Sequence, residues 1–411
     1  MRVGLVGLGY VGLPLAVAFA EEGNEVVGLD ADPRKIDALA EGRSYIEDVS
    51  SGRLAALDGR LTATSRYSDL GSCDAVIICV PTPLTNSREP DLSYMVDAAT
   101  SLAAVLEEGQ LIVLESTTYP GTTRERLRPI LEESGKDFHL AFSPERIDPG
   151  RTDFTIRTTP KVVGGVDEES TKRAVELYSL VCDKVIEVSS PDAAELSKLL
   201  ENIFRSVNIA LVNELAMLCE RLGIDIWEVI DAAASKPFGF MRFDPGPGMG
   251  GHCLPVDPFY LSYKAREHDF YTEFIELAGK INQNQPHWCV RRIERALNDA
   301  GKSTKDAKVV LLGVSYKAGV GDVRESPSLK IIRLLRDLGA EVSYHDPHVA
   351  ELPDLELSSA DLDESLASAD LVCIVTAHPT IDYQRVVDDS SLVLDFRGVT
   401  RGIEAQNLVR L

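Results

Sequence analysis

Hydrophobic and polar positions in the first 150 residues alternate as expected for buried strands separated by helices. The apolar runs "RVGLVGLG" and "EVVGLD" flank an amphipathic stretch, "LPLAVAFAEEG", which ends at Gly23. Further apolar strands are expected in "DAVIICVP" (74–81), "LIVLES" (111–116) and "FHLAFSPE" (138–145). Strands that alternate with helices in this way predict a parallel, doubly wound sheet.

The pattern changes in the middle of the chain and then returns. Apolar residues from Pro191 to Leu222 recur at helical spacing and predict one long amphipathic helix, with further helices from Trp227 to Ala234 and from Thr272 to Ala300. The strand pattern resumes at Lys308. The segment "EVSYHDPH" resembles the earlier "EVVGLDADP", and "ADLVCIVTAH" resembles "CDAVIICVPTP". We therefore predict an α/β fold with two Rossmann-like doubly wound parallel-sheet domains joined by a central helical domain.

Length and composition narrow the class of protein. A chain of 411 residues is too long for one ordinary core. A formal charge of -23 argues against a nucleic-acid partner, and it means that an anionic substrate needs a local group of basic residues. No apolar run reaches the roughly 18 residues of a membrane span, and the glycine-rich start does not read as a signal peptide, so a cytoplasmic protein is expected. The seven cysteines are scattered without a C-x-x-C pair, so neither disulfides nor a metal site is expected.

A glycine fingerprint lies between the first strand and the first helix. Gly7, Gly9 and Gly12 form G-x-G-x-x-G, and Asp30 ends the next strand. In this context Gly7 makes the tight turn, Gly9 lets the backbone approach a pyrophosphate, and Gly12 lets the helix pack on the strand. Asp30 would bind the adenosine ribose and favour NAD over NADP, although Arg34 lies nearby. The alternative is a glycine-rich turn that binds nothing.

The long helix carries a polar face. Lys198, Asn202 and Arg205 stand at i, i+4 and i+7, so they share one side of the helix. A lysine and an asparagine one turn apart could donate hydrogen bonds to a developing oxyanion. Spacing alone favours the alternative, an exposed helix in which Lys198 pairs with Glu195 or Glu201.

The stretch "GPGMGGHCLP" (246–255) places His252 and Cys253 after a run of glycines. Glycines allow a substrate to approach closely and allow unusual backbone angles. Adjacent His and Cys side chains are poorly placed to bind one metal ion. A lone cysteine is often a small buried apolar residue, so spacing leaves a plain turn and a nucleophile both open.

Ordered motifs along nearly the whole chain carry a family resemblance. They are "GLGYVGLPLA", "VPTPL", "ESTTYPGTT", "FSPERIDPG", "SKLLENIFRSVN", "GPGMGGHCLPVDPFYL" and "GVSYKAGVGDVRESPS". Together they resemble the UDP-glucose/GDP-mannose dehydrogenase family, whose members use NAD to oxidise the C6 alcohol of a nucleotide sugar to a carboxylate in two steps. The resemblance implies an NAD-binding domain over 1–190, a central helical and dimerisation domain over 191–300, and a UDP-sugar-binding domain over 301–411, in a homodimer or higher homo-oligomer.

The resemblance also implies roles for individual residues. Cys253 is implied as the nucleophile, Lys198 as acid/base or oxyanion partner beside Asn202, and Glu145 as the residue that activates the hydrolytic water. Thr118 would order a water near the nicotinamide, and Asp257 would assist proton transfer. NAD contacts are implied at Tyr10, Val11, Asp30, Arg34, Thr82, Thr118 and, from the C-terminal domain, Arg324. Contacts to the nucleotide sugar are implied at Arg146, Ile147, Lys198, Asn202, Arg205, Gly250, Tyr316, Lys317 and Arg401.

The residue before Cys253 indicates the substrate branch. UDP-glucose and GDP-mannose enzymes of this family usually read G-G-S-C, whereas this chain reads Gly250-Gly251-His252-Cys253, which resembles the branch acting on UDP-N-acetylhexosamines. The segments "LENIFRSVNIALVNELAML" and "KPFGFMRFDPGPG" resemble UDP-N-acetylglucosamine 6-dehydrogenases more than UDP-N-acetylmannosamine dehydrogenases. UDP-GlcNAc is therefore the expected substrate, for synthesis of a surface polysaccharide or other glycan. UDP-ManNAc and UDP-glucose remain alternatives.

Two other classes of protein stay open. One is a two-electron dehydrogenase of the 6-phosphogluconate or hydroxyisobutyrate type, which also joins an NAD domain to a long helix. The other is a catalytically silent nucleotide-sugar binding protein. Cys253 and the second α/β domain argue against the first, and the presence of Cys253, Lys198 and Glu145 together argues against the second.

Overall fold

The computed structural model describes residues 1–46, 48–85, 89–146, 153–251 and 257–411. The chain divides into two compact units. Unit 1 comprises Met1–Glu201 and Phe259–Tyr271, and unit 2 comprises Asn202–Pro258 and Thr272–Leu411.

Unit 1 is built on an eight-stranded sheet. Its strands are β1 (Arg2–Val6), β2 (Glu25–Leu29), β3 (Leu61–Thr64), β4 (Ala75–Ile78), β5 (Leu111–Leu114), β6 (His139–Phe142), β7 (Lys161–Gly165) and β8 (Val185–Glu187). The order is β3-β2-β1-β4-β5-β6-β7-β8, and every pairing is parallel except the antiparallel β6–β7 pair. The strand order reverses between β1 and β4, and a nucleotide is expected at the carboxyl ends of strands flanking such a reversal.

Helices cover both faces of this sheet and close two apolar cores. They are α1 (Gly12–Glu21), α2 (Pro33–Ala40), α3 (Ser51–Ala55), α4 (Ser93–Ala103), α5 (Arg128–Glu132) and α6 (Glu168–Tyr178), with a π-helical turn over Thr123–Leu127 and a 3₁₀ turn over Tyr67–Leu70. On one face α1 buries Leu13 and Phe19 against Leu5 and Tyr178, and on the other Met95 of α4 packs against Leu114. Burial on both faces explains why the central strands are continuously apolar.

Four helices occupy the middle of the chain: α7 (Pro191–Leu222), α8 (Ile226–Ala234), α9 (Asp257–Arg266) and α10 (Glu273–Asp299). The boundary between the units falls within α7, between Glu201 and Asn202. The Asp225 carboxylate caps α8 by accepting from the backbone N–H groups of Trp227 and Glu228. No helix in the described part of the chain is long and apolar enough to cross a membrane.

Unit 2 contains a five-stranded, wholly parallel sheet. Its strands are β9 (Lys308–Leu312), β10 (Glu341–His345), β13 (Leu371–Ile374), β14 (Val393–Asp395) and β15 (Leu408–Arg410), in the order β10-β9-β13-β14-β15. A separate antiparallel pair is formed by β11 (Glu351–Leu352) and β12 (Leu357–Ser358). The remaining helices are α11 (Pro327–Asp337), α12 (Leu362–Ser368) and α13 (Tyr383–Asp389), and a 3₁₀ turn spans Pro353–Leu355. The strand order reverses between β9 and β13.

The predicted fold class is confirmed, because the chain runs from one mainly parallel α/β sheet through a helical region to a second, wholly parallel one. The long helix has the predicted bounds, Pro191–Leu222. The hydrophobic pattern did not indicate β3, β7, β8, β11, β12 or β15, of which all but the five-residue β7 have four residues or fewer. The antiparallel β6–β7 pair is a departure from the expected all-parallel arrangement. The three domain boundaries remain a prediction.

Candidate functional site

The glycine fingerprint forms a tight turn between β1 and α1. Gly7 has φ +95°, and a Cβ there would lie 2.6 Å from the carbonyl oxygen of Cys79. A Cβ on Gly12 would lie 1.8 Å from the carbonyl oxygen of Gly7. Gly9 differs, because a Cβ there would meet no atom within 4 Å. Two glycines are thus required by the protein itself, and the third faces open space.

Asp30 is held firmly at the end of β2. Its carboxylate accepts from the backbone N–H of Leu8 at 2.8 Å and of Asp32 at 2.9 Å, and it ion-pairs with Lys35 at 2.8 Å. Arg34 is turned outward, with its side chain 89% exposed and its guanidinium paired to Asp32. That pairing, through a hydrogen bond from Arg34, lowers the pKa of Asp32 to about 2.

These features fit a dinucleotide. The open space at Gly9 lies at the N-terminal end of α1, where backbone N–H groups and the helix dipole favour a pyrophosphate. Asp30 at the next strand end is the residue type that binds ribose hydroxyls. Tyr10 is 57% exposed beside the turn, and Val11 packs partly against the core.

Thr82 and Thr118 lie in loops that follow β4 and β5. Thr82 donates to the carbonyl oxygen of Thr117 at 2.6 Å, so it ties the two loops together. Thr118 is 1% exposed, and its hydroxyl lies 3.5 Å from Glu195 of α7. The Glu195 carboxylate also accepts from the backbone N–H of Gly121 at 2.7 Å and from both the backbone N–H and the hydroxyl of Thr123. Glu195 therefore fixes the loop that carries Thr118.

Glu195 itself is fully buried. Burial raises its pKa to about 7, although the hydrogen bonds from Thr123 and Gly121 act in the opposite direction. A buried carboxylate that accepts hydrogen bonds from several N–H and O–H groups fixes the positions of those groups. Its raised pKa means that it changes protonation state near neutral pH. The sequence did not indicate this role for Glu195, because Glu195 is one of several acidic residues on an amphipathic helix.

Lys198 lies on α7 and is 8% exposed. Its ammonium donates to the main-chain carbonyl of Glu145 at 2.6 Å. Glu195 and Glu201, the partners that an exposed helix would give it, bind Thr123 and Arg146 instead. The exposed-helix alternative is therefore wrong for Lys198. Asn202, one turn further along α7, is also buried at 5% exposure, whereas Arg205 is exposed.

Glu145 lies three residues beyond β6, and its carboxylate is near a buried charged cluster. Lys161 Nζ lies 3.8 Å from Glu145 Oε2 and ion-pairs with Glu115, which follows β5. Arg146, the next residue, pairs with Glu201 at 2.7 Å and donates to the carbonyl oxygen of Pro160 at 2.6 Å. Unit 1 thus brings Lys198, Glu145 and Arg146 together, and the roles that the resemblance implies for them remain predictions.

The glycine loop before Cys253 is anchored within unit 2 by buried amides. The backbone N–H of Gly246 donates to Asn213 of α7 at 2.9 Å, Asn213 donates to Asn282 of α10 at 3.2 Å, and Asn282 donates to the carbonyl oxygen of Ser206 at 3.0 Å. The last glycine, Gly251, has φ +92°. The loop conformation is therefore set by α7 and α10 as well as by its glycines.

Tyr316 packs on this loop. A Cβ on Gly250 would lie 2.7 Å from the Tyr316 Cβ, and one on Gly251 would lie 3.0 Å from the ring. Ser315 donates to the carbonyl oxygen of Lys317 at 2.8 Å, which shapes the turn after β9. Tyr316 and Lys317 therefore stand at the carboxyl end of β9, beside the reversal of strand order where a nucleotide is expected.

A buried Asp346–His378 pair supports this turn. His378 Nε2 lies 3.0 Å from Asp346 Oδ2, and His378 Nδ1 accepts from the backbone N–H of Gly319 at 3.2 Å. Burial opposes ionisation of Asp346, but hydrogen bonds from His378 and from backbone N–H groups lower its pKa to about 2. The pair joins the loops after β9, β10 and β13, so it holds the segment that carries Tyr316 and Lys317.

Two further predicted cations of unit 2 are ion-paired. Arg324 is 52% exposed and pairs with Asp322 at 2.6 Å. Arg401 pairs with Asp231 at 2.8 Å, and its guanidinium lies over the Trp227 ring at 5.3 Å. Both residues lie at the surface.

Cys253 and Ile147 lie outside the described residues, and Asp257 is described only as the first residue of α9. The six other cysteines are all free, buried thiols.

Several residues that the structure places beside the predicted ones were not indicated by the sequence. In unit 1 they are Glu115, Lys161 and Tyr178, which form the charged cluster near Glu145, and Glu195, which fixes the loop of Thr118. In unit 2 they are Asn213 and Asn282, which anchor Gly246, and Arg397, whose Nη1 would lie 2.2 Å from a Cβ on Gly246. One signal was available. Glu115 ends an apolar strand and Lys161 begins one, and a charged residue at such a position in a buried sheet requires a partner.

Comparison with known proteins identifies the family. Family models match in order along the chain: the NAD-binding domain of the UDP-glucose/GDP-mannose dehydrogenase family over residues 1–182, the central domain over 192–284 and the UDP-binding domain over 310–402. The UDP-N-acetyl-D-mannosamine dehydrogenase of Pyrococcus horikoshii is 35% identical, with 98% of this chain and 100% of that protein covered.

Solved structures agree with the family models. The structure of the UDP-D-ManNAc dehydrogenase from Pyrococcus horikoshii matches with a TM-score of 0.91 at 34% identity, covering 100% of this chain and 99% of the other. A UDP-glucose dehydrogenase from Pyrobaculum islandicum matches with the same TM-score at 30% identity, covering 99% and 96%. The chain therefore belongs to the UDP-glucose/GDP-mannose dehydrogenase family, as an NAD-dependent UDP-sugar dehydrogenase.

Proposed function

We propose that the protein oxidises the C6 alcohol of a UDP-N-acetylhexosamine to the uronic acid. The observation that carries the proposal is the 35% identity, over nearly the full length of both chains, to a protein named UDP-N-acetyl-D-mannosamine dehydrogenase. Fold similarity alone does not separate substrates, because a UDP-glucose dehydrogenase has the same TM-score as a UDP-D-ManNAc dehydrogenase.

UDP-ManNAc is the first candidate substrate and UDP-GlcNAc the second. The name of the relative favours UDP-ManNAc. The segments "LENIFRSVNIALVNELAML" and "KPFGFMRFDPGPG" favour UDP-GlcNAc, as the sequence predicted. The two sugars differ in configuration at C2, so the chemistry proposed at C6 is the same for both.

The reaction removes four electrons and consumes one water. The alcohol, two NAD⁺ and water give the carboxylate, two NADH and three protons. NAD, when bound, accepts one hydride in each half of the reaction. The dinucleotide would be held by the turn at Gly7, Gly9 and Gly12 and by Asp30.

The first half produces an aldehyde. A base, Lys198 or a water held by Asp257, takes the hydroxyl proton as the hydride leaves C6. The Cys253 thiolate then adds to the aldehyde carbon to form a thiohemiacetal, which keeps the aldehyde from escaping. The Lys198 ammonium has three donors, and only one is needed for the Glu145 carbonyl, so it and the Asn202 amide can stabilise the oxyanion.

The second half produces the acid. Loss of the second hydride from the thiohemiacetal gives a thioester. A water attacks the thioester carbonyl, the carbon–sulfur bond breaks, and Cys253 leaves as a thiolate. Glu145 takes a proton from that water. Support for this role comes from its carboxylate, which lies at the edge of a buried charged cluster with 17% of the side chain exposed.

The test is a stoichiometric assay with purified protein, NAD and a panel of UDP-ManNAc, UDP-GlcNAc, UDP-GalNAc and UDP-glucose. We expect two NADH per sugar, with an N-acetylhexosamine preferred. A strong preference for UDP-glucose would overturn the hexosamine proposal. One NADH per sugar would instead favour the two-electron class, and binding of both ligands without turnover would favour the silent class.

The role of Cys253 has its own test. The Cys253→Ser variant should stop after an aldehyde or a covalent adduct, because an oxygen ester hydrolyses less readily than a thioester. Replacement of another cysteine, Cys219→Ser, is the control. Full turnover by the Cys253→Ser variant would reject the thioester mechanism.

We also propose that unit 2 binds a second copy of the chain along α7. Large apolar side chains between 38% and 60% exposed recur on this part of the helix: Phe204, Leu211, Leu215, Leu218 and Leu222. Their spacing of three, four or seven residues places them on one stripe. Light scattering after gel filtration should give a dimer or larger assembly, and Leu218→Arg should reduce it to monomer. A monomeric wild-type protein would overturn the proposal.

A further inference from the structure

Lys161 lies between two carboxylates in the interior of unit 1. It is the first residue of β7, with its side chain 9% exposed. On one side it ion-pairs with Glu115, whose side chain is fully buried, and on the other its Nζ lies 3.8 Å from Glu145 Oε2. A single ammonium therefore links a carboxylate without access to solvent to one at the edge of the unit.

The Glu115 carboxylate accepts a second hydrogen bond, so the cluster is more than a simple buried ion pair. The Tyr178 hydroxyl, at the end of α6, donates to its other carboxylate oxygen. Burial raises the pKa of Glu115 to about 7, Lys161 opposes the rise, and the charge and hydrogen bond of Glu145 add to it.

Two lysines lie close to Glu145, one at its main chain and one at its side chain. Lys198 binds its main-chain carbonyl at 2.6 Å, whereas Lys161 approaches its carboxylate. A desolvated cation near a carboxylate favours the ionised form. An ionised Glu145 carboxylate can accept a proton from a water.

We propose that Lys161, held in place by Glu115, is a positioning residue that orients the Glu145 carboxylate and keeps it ionised as the base of the second half-reaction. This rests on the role of Glu145 in the proposed function. Lys161 contacts neither the sugar nor the cofactor in this scheme. Its effect on rate passes through Glu145.

The test compares Lys161→Met with Lys161→Arg in steady-state and rapid-mixing assays over pH 5–9. We expect the acidic limb of the kcat profile to move up by about one to three pH units in Lys161→Met, because an opposite charge at this distance is worth about that much. The value of kcat/KM for the UDP-sugar should stay within about twofold, because hydrolysis follows both hydride transfers. Both NADH should still form in a rapid burst in the first turnover, since only hydrolysis slows. Lys161→Arg, which keeps the cation, should restore the acidic limb, and Lys172→Met, at an exposed lysine of α6, is the matched control.

Several groups around the cluster could add to its pH dependence. The pKa values of the Tyr178 hydroxyl and of the Cys79 and Cys182 thiols are raised by burial, so these groups stay protonated across the assay range. Among the described contacts, Lys161 lies near the Glu145 carboxylate and Lys198 binds the Glu145 main-chain carbonyl. The charges of Glu115 and Glu145 also act on each other.

A double variant separates positioning from stability. Lys161→Met alone leaves Glu115 buried without its ammonium, which lowers stability. Glu115→Gln combined with Lys161→Met removes both charges and should recover much of the lost Tm. The acidic limb should nevertheless stay shifted in the double variant. If the limb of the double variant returns to the wild-type position, or if Lys161→Met leaves it unchanged, Lys161 does not act on Glu145.

Failure of the proposed function would look different. A wild-type protein that gives no NADH with any UDP-sugar, or only one per sugar, would remove the role of Glu145 itself. A wild-type protein that gives two NADH, together with a Lys161→Met variant of unchanged pH profile, would overturn only the inference about Lys161.

Discussion

Substituting two glycines of the fingerprint should separate cofactor binding from folding. Gly9 and Gly12 are three residues apart in the same turn, but their surroundings differ. A Cβ on Gly9 would meet no protein atom within 4 Å, whereas one on Gly12 would lie 1.8 Å from the Gly7 carbonyl oxygen. Gly9→Ala should therefore weaken NAD binding, and Gly12→Ala should destabilise the folded protein.

The magnitudes follow from these distances. Ordinary Cβ contacts begin near 3.4 Å, so Gly12→Ala requires the turn or α1 to move. Overpacking of this severity costs about 3 kcal/mol or more, which lowers Tm by about 6–12 °C in a domain of this size. Gly9→Ala creates no clash in the protein and should leave Tm within a few degrees. Its methyl group occupies the space where the pyrophosphate approaches, so NAD binding should weaken about tenfold or more.

Calorimetry measures both effects. Scanning calorimetry of the full chain gives Tm, and titration calorimetry gives the Kd for NAD. If Gly9→Ala binds NAD as tightly as the wild type, the pyrophosphate does not approach the backbone there. If Gly12→Ala keeps the wild-type Tm, the turn is more adaptable than its contacts indicate.

Three further outcomes are expected. Burial raises the pKa of Glu195 to about 7 from an ordinary 4.5, so the folded state holds a proton that the unfolded state has released, and stability falls as pH rises from 4.5 to 7. The stability of Glu195→Gln lacks this pH dependence, so relative to wild type it should improve by up to about 3 kcal/mol between pH 5 and pH 8. Denaturant titrations measure this difference, and a difference that stays constant with pH would refute the raised pKa of Glu195. Asn282→Leu breaks the amide contacts that anchor the glycine loop, so kcat should fall at least tenfold with NAD affinity unchanged, whereas the exposed Asn298→Leu should match wild type in both assays. Gly251→Ala adds strain at φ +92° and a contact 3.0 Å from the Tyr316 ring, so KM for the UDP-sugar should rise several-fold, and an unchanged KM would show that the loop relaxes freely.

Features that depend on neighbouring residues were predictable from the sequence. The bounds of α7 were predicted because helical periodicity repeats over its whole length. The separate roles of Gly7, Gly9 and Gly12 were predicted because a strand, turn and helix that follow one another fix the local geometry. The parallel sheets followed from alternation of apolar strands and amphipathic helices.

Features that depend on distant pairing were not predictable. Lys161 reaches Glu115 only because β7 joins the sheet beside β6, through an antiparallel pair that no local pattern signals. Asn213 and Asn282 lie on different helices, and either would be a surface amide if α7 and α10 packed otherwise. For the same reason spacing favoured an exposed helix at Lys198, which is wrong, since periodicity gives the face of a helix but not what covers it.

Charge compensation limits how strongly the arginines of so acidic a chain can bind anions. Four arginines predicted to contact NAD or the nucleotide sugar are each paired with a carboxylate: Arg34 with Asp32, Arg146 with Glu201, Arg324 with Asp322 and Arg401 with Asp231. A phosphate that binds any of them must compete with that resident carboxylate, so each contact yields less than a free arginine would. Lys198 differs, because its ammonium is buried against a neutral carbonyl group. Its charge is therefore available to a negative group that develops beside it, which is the property that oxyanion stabilisation requires.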